Sequence, residues 1–332
     1  MPQQKFSDTR YDEMIYRRCG NSGLKLPAIS LGAWETFGGY KGDEVARECL
    51  FGAFDLGITH FDLANNYGTP PGNAEIVCGK IIKDMPRDEL IISSKAGYYM
   101  WPGPYGEWGS KKYIVASCDQ SLKRMGLEYF DIFYSHRPDS ETPFEETIGA
   151  LETLVRQGKA LYIGVSSYSG AQTQEAAGIA KQYSLAPITI HQPYYNMLGR
   201  GMETDLVPQC KKLGIGIIPF CPLASGILTS KYLDGKIPKG SRGAEKWGED
   251  WVKRSLENRT ERLRALNDLA AKRGQTLAQM SLAWILRTPE VTSALIGASS
   301  LAQIKENVAA LGNLDFSDEE LAKIDELAPQ KA

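Results

Sequence analysis

The sequence predicts an α/β fold, a (β/α)8 TIM barrel in which eight parallel strands are enclosed by helices. The first observation is that short apolar runs alternate with longer amphipathic segments along the whole chain. The second is that the 332 residues contain no compositional break or Ser/Gly linker, and a closed barrel takes roughly 250 residues. The third is that no G-x-G-x-x-G motif follows the first apolar run, which disfavours the competing open, doubly wound sheet.

The eight predicted strands are short apolar runs bounded by turn-forming residues. They are Ala28–Ala33, His60–Leu63, Leu90–Ser94, Phe130–Ser135, Leu161–Val165, Ile188–His191, Ile215–Pro219 and Ser293–Ile296. The segments between them have helical periodicity, and several end at a glycine, as helix C-termini do. The predicted helices are Asp43–Leu56, Ala74–Lys83, Ser110–Met125, Phe144–Arg156, Ala171–Tyr183, Thr204–Leu213, Arg259–Thr288 as two pieces broken near Gly274, and Leu301–Leu311.

Three segments account for the roughly 80 residues that exceed a minimal barrel. Met14–Leu26 has strand-forming residues around a Gly-Asn-Ser-Gly turn, which predicts a β-hairpin closing the bottom of the barrel. Leu223–Arg254 is a long, Gly-rich and charged insertion after the seventh strand. Ser317–Leu327 begins with a capping box and predicts an extra C-terminal helix. We therefore expect residues 1–13 to form a flexible arm and residues 14–332 a single barrel domain.

Composition and charge exclude several classes of protein. The 38 Lys and Arg residues nearly balance the 40 Asp and Glu residues, and no basic stripe indicates nucleic acid or an anionic membrane as a partner. The six cysteines include no C-x-x-C pair, so a disulfide framework or zinc knuckle is not expected and a reducing compartment is. The polar N-terminal residues lack the apolar region of a signal peptide, which predicts a cytoplasmic location.

Candidate catalytic side chains stand where three successive strands end. Asp62 ends the second strand, with Tyr67 in the following loop; Lys95 ends the third strand and His136 follows the fourth. Because catalytic groups of this fold lie at the carboxyl ends of the strands, we expect the four to share one rim. Lys95, held by Asp62, is expected to lower the pKa of Tyr67 so that the phenol acts as a proton donor. His136 is expected to orient a carbonyl oxygen.

Each of these residues taken alone also has an ordinary structural explanation. A strand-end Lys or Asp commonly forms a salt bridge, a Tyr in a Gly- and Pro-rich loop commonly packs, and His136 is one of three histidines near strands. The occurrence of all four at consecutive strand ends favours catalysis. A metal-dependent hydrolase using the histidines is the competing enzyme class, but no H-x-H or H-E-x-x-H motif supports it, so no metal site is predicted.

The run Gly57–Gly68, with Lys95 and Ser135–Asp139, resembles the aldo-keto reductase superfamily, and the resemblance extends from about Tyr16 to Leu327. Within that superfamily, Lys95–Gly106 is similar to the bacterial reductases of L-glyceraldehyde 3-phosphate. A more distant resemblance is to the β subunits of voltage-gated potassium channels.

The resemblance implies a catalytic tetrad of Asp62, Tyr67, Lys95 and His136, with Tyr67 as the general acid. It implies transfer of hydride from NADPH to small aldehydes such as L-glyceraldehyde 3-phosphate and methylglyoxal. The dinucleotide is expected to lie extended across the rim, with the Leu223–Arg254 insertion closing over its pyrophosphate. The cofactor-binding positions implied in this sequence are Trp34, Asp62, Ser166, Gln192, Phe220, Pro222, Leu223, Gly226, Lys231, Arg242, Gly297, Ser299, Gln303, Glu306 and Asn307.

The sequence suggests an aromatic-walled substrate mouth of Trp34, Tyr67, Trp101 and Tyr105, although the run from Trp101 to Tyr105 can equally pack against its own prolines. Trp34 and Trp101 match loops near the active site of the family, and the expected substrate-binding residues are Trp34, Tyr67, Trp101 and His136. Ser300 stands where close relatives often carry an Arg against the 2′-phosphate, so NADPH is favoured and use of NADH stays open. The relatives imply a homo-oligomer, a tetramer or larger. The alternative function is that of an NADP(H)-binding, redox-sensing regulatory subunit, but the channel subunits carry Asn at the position of His136.

Overall fold

A two-stranded hairpin and eight parallel strands form the β structure in the computed structural model, which describes residues 5–241 and 243–330. The hairpin strands are β1 (Tyr16–Arg18) and β2 (Lys25–Pro27). The parallel strands are β3 (Ile29–Gly32), β4 (His60–Asp62), β5 (Ile91–Ala96), β6 (Phe130–Ser135), β7 (Ala160–Ser166), β8 (Ile188–Gln192), β9 (Gly216–Ile217) and β10 (Ala294–Gly297). All eight begin and end within two residues of the predicted bounds.

The parallel strands close into a barrel. Their order is β10, β3, β4, β5, β6, β7, β8 and β9, so each strand pairs with its neighbour in sequence and β10 returns to β3. Between the two ends of this order, the Ile217 N–H donates to Glu290 O at 3.1 Å and the Thr292 N–H donates to Ile217 O at 2.7 Å. These bonds complete the circle, and the predicted (β/α)8 barrel is confirmed. β9 is shorter than predicted because Pro219 has no N–H to continue the ladder.

Helices enclose the barrel, and the predicted alternation of strands with helices is confirmed. They are α1 (Asp43–Asp55), α2 (Asn73–Ile82), α3 (Lys111–Met125), α4 (Phe144–Arg156), α5 (Gly170–Gln182), α6 (Leu206–Leu213), α7 (Glu249–Leu256), α8 (Thr260–Lys272), α9 (Leu277–Leu286), α10 (Leu301–Val308) and α11 (Asp318–Leu327). The predicted break near Gly274 separates α8 from α9, and the predicted capping box of Ser317 and Glu320 begins α11. In the described part of the chain, none of these helices has the length and hydrophobicity needed to cross a membrane.

The hairpin closes the bottom of the barrel, as predicted. Leu24 and Leu26 pack against apolar side chains of the barrel interior. The Asn21 N–H donates to Gly214 O at 2.9 Å, and this close approach requires glycine at position 214. A Cβ there would lie 2.2 Å from the Asn21 side chain, and the backbone φ of 68° also favours glycine. The Arg17 guanidinium donates to two backbone carbonyls at the end of α9 and beyond it, Leu286 O at 2.9 Å and Val291 O at 2.8 Å.

The segment predicted as an N-terminal arm is described from residue 5 onward. There the Phe6 ring packs edge-on against Phe51 and Phe54 of α1, at centroid distances of 5.3 and 4.9 Å. Arg10 forms an ion pair with Glu89 in the turn before β5. These contacts join the segment to the outer surface of the barrel.

We expect Arg17→Met to lower the free energy of unfolding by about 2 kcal/mol, because two carbonyls lose a charged hydrogen-bond donor. Turnover should be unchanged, since the hairpin lies at the end of the barrel opposite the carboxyl ends of the strands. Urea unfolding measures the change. Arg18→Met is the matched control because, among the residues that the structure describes, the exposed Arg18 side chain donates only to Ser22 O within the hairpin. Equal losses in the two variants would contradict this account of the barrel floor.

Stability should fall as the pH is lowered from 7 to 5, because all three histidines are buried. Burial lowers the pKa of His60 to about 4 and of His191 to about 3, and it places the pKa of His136 well below 6.5. The unfolded chain, with histidine pKa values of about 6.5, takes up protons in this range that the folded chain does not. Each histidine should therefore remove up to about 1.4 kcal/mol per pH unit, measured by urea unfolding. His191→Leu should reduce the slope by about one third, and an unchanged slope would refute the explanation.

Candidate active site

A buried ion pair lies at the centre of the site. The Lys95 Nζ atom donates to Asp62 Oδ2 at 2.5 Å and to the backbone carbonyl of Leu63 at 2.6 Å. Both charged side chains are almost completely buried, with exposed fractions of 0% and 1%. The Lys95 Nζ atom also lies 3.4 Å from the phenolic Oη atom of Tyr67. The predicted proximity of the cation to the tyrosyl hydroxyl is therefore present in the structure.

The second carboxylate oxygen of Asp62 is also occupied. Ser93 on β5 donates its hydroxyl to Asp62 Oδ1 at 2.6 Å, and Gln192 on β8 donates an amide N–H to the same oxygen at 3.2 Å. Burying a carboxylate is costly unless its lone pairs find donors. Asp62 meets this requirement through donors on β5 and β8, so its orientation is set by the barrel wall.

His136 follows β6 and faces Tyr67 across the site. Its ring lies 5.8 Å from the Tyr67 ring and 4.7 Å from that of Tyr98, edge-on in both cases. Burial places its pKa well below the usual value, with Lys95 and Arg137 adding to the effect. The imidazole is therefore neutral near pH 7 and carries one N–H. Its Nδ1 atom is buried and has no hydrogen-bond partner within the described residues.

The predicted lowering of the Tyr67 pKa is wrong. Burial raises the pKa of Tyr67 well above 10, and the nearby Asp62 carboxylate raises it further. Burial also lowers the pKa of Lys95, against the opposing influence of Asp62. Burial is the largest cause, because loss of solvation disfavours the charged phenolate. Tyr67 consequently keeps its proton at neutral pH, the state from which a general acid starts.

A cavity of about 500 Å³ opens at the carboxyl ends of the strands. Asp62, Tyr67 and His136 line it, whereas Lys95 is buried behind Tyr67. Every cofactor-binding position predicted from the resemblance, other than Arg242, also lines this cavity. These are Trp34, Asp62, Ser166, Gln192, Phe220, Pro222, Leu223, Gly226, Lys231, Gly297, Ser299, Gln303, Glu306 and Asn307. Arg242 lies outside the described residues.

The N-terminus of α10 forms one end of the cavity. Ser300 caps this helix by accepting a hydrogen bond from the Gln303 N–H at 3.4 Å. The backbone N–H and the hydroxyl of Ser299 both point to the Gln303 side-chain oxygen, at 3.0 and 3.3 Å. Backbone N–H groups and the positive end of the helix dipole make such a terminus suitable for a phosphate.

The insertion after β9 lies along one side of the cavity and contacts the loop that follows β3. Trp247 packs against Trp34 at a centroid distance of 6.2 Å, and Lys246 forms an ion pair with Glu35. Thr229, Lys231 and other residues of the insertion line the cavity between these contacts and the barrel rim. The insertion therefore spans the distance between the barrel rim and the loop that follows β3.

Tyr105, predicted at the substrate mouth, is half exposed and does not line the cavity, and neither does Trp101. Its indole ring packs against Tyr113 of α3 at 5.1 Å, because the turn between Met100 and Gly106 folds it back onto that helix. The neighbouring Tyr98 lines the cavity instead. Arg137 stacks on the Tyr98 ring at 4.2 Å and holds it beside His136. Tyr98 belongs to the run that carries the family resemblance, but nothing in that run distinguishes it from its aromatic neighbours.

In the portion of the chain covered by the structure, no group of three or more His, Cys, Asp or Glu side chains is placed to hold a metal ion. The candidate catalytic groups that the structure brings together are the Lys95–Asp62 pair, the Tyr67 phenol and the His136 imidazole.

Comparisons with known proteins agree with this arrangement. The family model described as the aldo/keto reductase family, whose members typically use NAD(P)H, matches residues 28–329. The chain is 54% identical over 324 residues to L-glyceraldehyde 3-phosphate reductase of Escherichia coli K12, covering 96% of this chain and 93% of that protein. It is 40% identical over 321 residues to a putative voltage-gated potassium channel subunit beta of Schizosaccharomyces pombe, covering 94% and 92%. It is 38% identical over 302 residues to a probable subunit of the same kind from Arabidopsis thaliana, covering 90% and 91%. With the barrel and the rim residues in place, these matches show that the chain belongs to the aldo/keto reductase family and is an oxidoreductase.

Proposed function

We propose that the protein is an NADPH-dependent reductase of small aldehydes, in which Tyr67 is the general acid. The observation that carries the proposal is the Lys95 ammonium, held by Asp62 and 3.4 Å from the Tyr67 hydroxyl at the wall of the cavity. The substrate class rests on similarity to the Escherichia coli enzyme, whose name specifies L-glyceraldehyde 3-phosphate. Methylglyoxal belongs to the same class of small aldehyde.

The residues of the cavity suit a nicotinamide dinucleotide. Phe220 offers an aromatic face for the uncharged ring, and Ser166 and Gln192 offer polar groups for its carboxamide. Gln192 already donates to Asp62, which leaves its side-chain oxygen to accept from an amide. Lys231 and the N-terminus of α10 supply positive charge for phosphates. When bound, NADPH supplies the hydride that is added to the aldehyde carbon.

The side chains of this protein provide the proton and the charge stabilisation. The neutral His136 donates its N–H to the aldehyde oxygen and orients the carbonyl group. As the carbon gains a hydride, negative charge develops on that oxygen, and Tyr67 transfers its phenolic proton to it. The Lys95 ammonium stabilises the resulting phenolate, which recovers a proton from solvent. Asp62 keeps Lys95 charged and in position, so the net reaction consumes one hydride and one proton per alcohol formed.

The potassium channel relatives support a second candidate, a regulatory subunit that binds NADP(H) without appreciable turnover. The presence of His136 beside Tyr67 favours the reductase, because the proposed carbonyl-orienting donor is in place. Steady-state turnover of small aldehydes separates the two. Tight NADPH binding with negligible turnover across a panel of aldehydes, together with capture of a channel subunit, would favour the regulatory function.

Tyr67→Phe should lower kcat by about 10³-fold or more, because it removes the general acid and leaves the aromatic ring. The Kd of NADPH should stay within about twofold of the wild-type value, as measured by fluorescence titration. Tyr99→Phe is the matched control, since Tyr99 is exposed on a neighbouring loop and does not line the cavity. Full activity of Tyr67→Phe would overturn the proposed mechanism.

We expect a higher kcat/KM with NADPH than with NADH for L-glyceraldehyde 3-phosphate and methylglyoxal.

Ser300→Arg should lower the KM for NADPH several-fold without lowering the KM for NADH, because the added charge meets a 2′-phosphate that only NADPH carries. The same variant loses the Ser300 cap of α10, which should lower the free energy of unfolding by about 1 kcal/mol. Ser317→Arg removes an equivalent cap from α11, away from the cavity. It should reproduce the stability loss but leave both KM values unchanged.

A further inference from the structure

A chain of hydrogen bonds runs beneath the Lys95–Asp62 pair through the interior of the barrel. Ser293 and Ser30 share a hydrogen bond of 2.6 Å between hydroxyls, and Ser30 lies 2.9 Å from His60 Nδ1. His60 Nε2 lies 3.0 Å from the Ser93 hydroxyl, which in turn donates to Asp62 Oδ1 at 2.6 Å. The three serines and His60 are all fully buried.

The strand register explains why these side chains meet. His60 and Asp62 are two residues apart on β4, so both point to the same side of the sheet. Ser93 on β5 is the direct partner of Asp62, and Ser30 precedes the residue of β3 that pairs with Phe61. The chain of bonds therefore runs from Ser293, the residue before β10, across β3 and β4 to β5 without leaving the barrel interior.

The carboxylate determines the direction of every bond in the chain. An ionised Asp62 can only accept hydrogen bonds, so the Ser93 hydroxyl donates its one proton to Asp62 Oδ1. The Ser93 oxygen must then accept a hydrogen bond from His60 Nε2. His60 is then the Nε2–H tautomer, and its Nδ1 atom accepts the Ser30 proton. Burial lowers the pKa of His60 to about 4, so the ring is neutral near pH 7 and carries only this one N–H.

The other neutral tautomer would have the opposite effect. With the proton on Nδ1, the unprotonated Nε2 atom would compete with Asp62 for the Ser93 hydroxyl. The Gln192 amide, at 3.2 Å, would then be the one remaining donor to Asp62 Oδ1. The Asp62 carboxylate would be held less firmly in its orientation toward Lys95. Ser30 is compatible with the tautomer that Asp62 sets, because its hydroxyl can donate to Nδ1 while its oxygen accepts from Ser293.

We propose that His60 is a positioning residue for aldehyde reduction. Acting through Ser93, it holds Asp62 so that Lys95 stays beside the Tyr67 hydroxyl. The proposal rests on the function proposed above, but its structural half, the tautomer of His60, is independent of turnover.

Nitrogen-15 NMR of the full-length protein labelled at histidine tests the tautomer without substrate or cofactor. His60 should show the shifts of the neutral Nε2–H form from pH 5.5 to 8. In Ser93→Ala, which removes the acceptor, the resonance should move toward the Nδ1–H form. A wild-type His60 in the Nδ1–H form, or one that titrates near pH 6.5, would overturn the proposal.

Kinetics test the consequence for catalysis. His60→Leu should lower kcat roughly 10- to 100-fold, as small displacements of catalytic groups do, while the KM and the NADPH Kd stay within about twofold. His60→Gln places an amide N–H at a similar reach and should recover most of kcat. Ser93→Ala should resemble His60→Leu, and the double variant should lose no more than either single one. Additive losses would refute action through Ser93.

His191→Leu is the matched control. His191 is as buried as His60 and also bonds a hydroxyl, that of Thr173 at 3.1 Å, but no hydrogen bond among the described residues connects it to Asp62. We expect it to lower the melting temperature without lowering kcat. Equal losses of kcat in His60→Leu and His191→Leu would show that His60 contributes through packing and not by positioning Asp62. If His60→Leu does not fold, His60→Gln and Ser93→Ala carry the test. A wild-type protein that reduces no aldehyde would refute the proposed function and leave the NMR result to decide the tautomer.

Discussion

The structure depends on one interaction, the ion pair between Lys95 and Asp62. Both groups are buried, and removing one partner of such a pair leaves a charge without compensation, at a cost of about 3–5 kcal/mol. The pair is tolerable because Ser93, Gln192 and the Leu63 carbonyl satisfy the remaining hydrogen-bonding groups. These partners come from β5, from β8 and from the residue that follows β4, so the closed barrel is what makes the pair stable. In turn, the pair places the Lys95 cation beside the Tyr67 phenol. Among the described residues, Tyr67 is the only tyrosine that both lines the cavity and forms a hydrogen bond with Lys95 Nζ.

Burial rather than charge sets the protonation states of the site. The same loss of solvation raises the pKa of Tyr67, lowers that of Lys95 and keeps His60 and His136 neutral. A phenol that holds its proton until negative charge develops on a neighbouring oxygen is well suited to donate it at that moment. In the proposed mechanism the ion pair stabilises the phenolate that remains, so the cation would act mainly after proton transfer begins.

Much of the fold follows from local patterns in the sequence. Strand and helix bounds were predictable because buried strands and amphipathic helices have different periodicities, and glycines and capping residues separate them. Most of the residues that line the cavity were predictable because the resemblance extends over nearly the whole chain. The contact of Trp101 with Tyr113 was not predictable, since it depends on how one turn folds back onto α3. The packing of Trp34 against Trp247 joins residues more than 200 positions apart, a separation that periodicity does not address.

The sequence by itself determined the barrel, the order of its elements and the presence of Asp62, Tyr67, Lys95 and His136 at consecutive strand ends. These features are encoded in short stretches, where apolar spacing and residue type are enough. Only the tertiary structure decided the pKa of Tyr67, the tautomer of His60 and the replacement of Trp101 by Tyr98 at the cavity. Each of those depends on which groups surround a side chain and how much water they exclude, and these quantities exist only once distant strands and loops have come together.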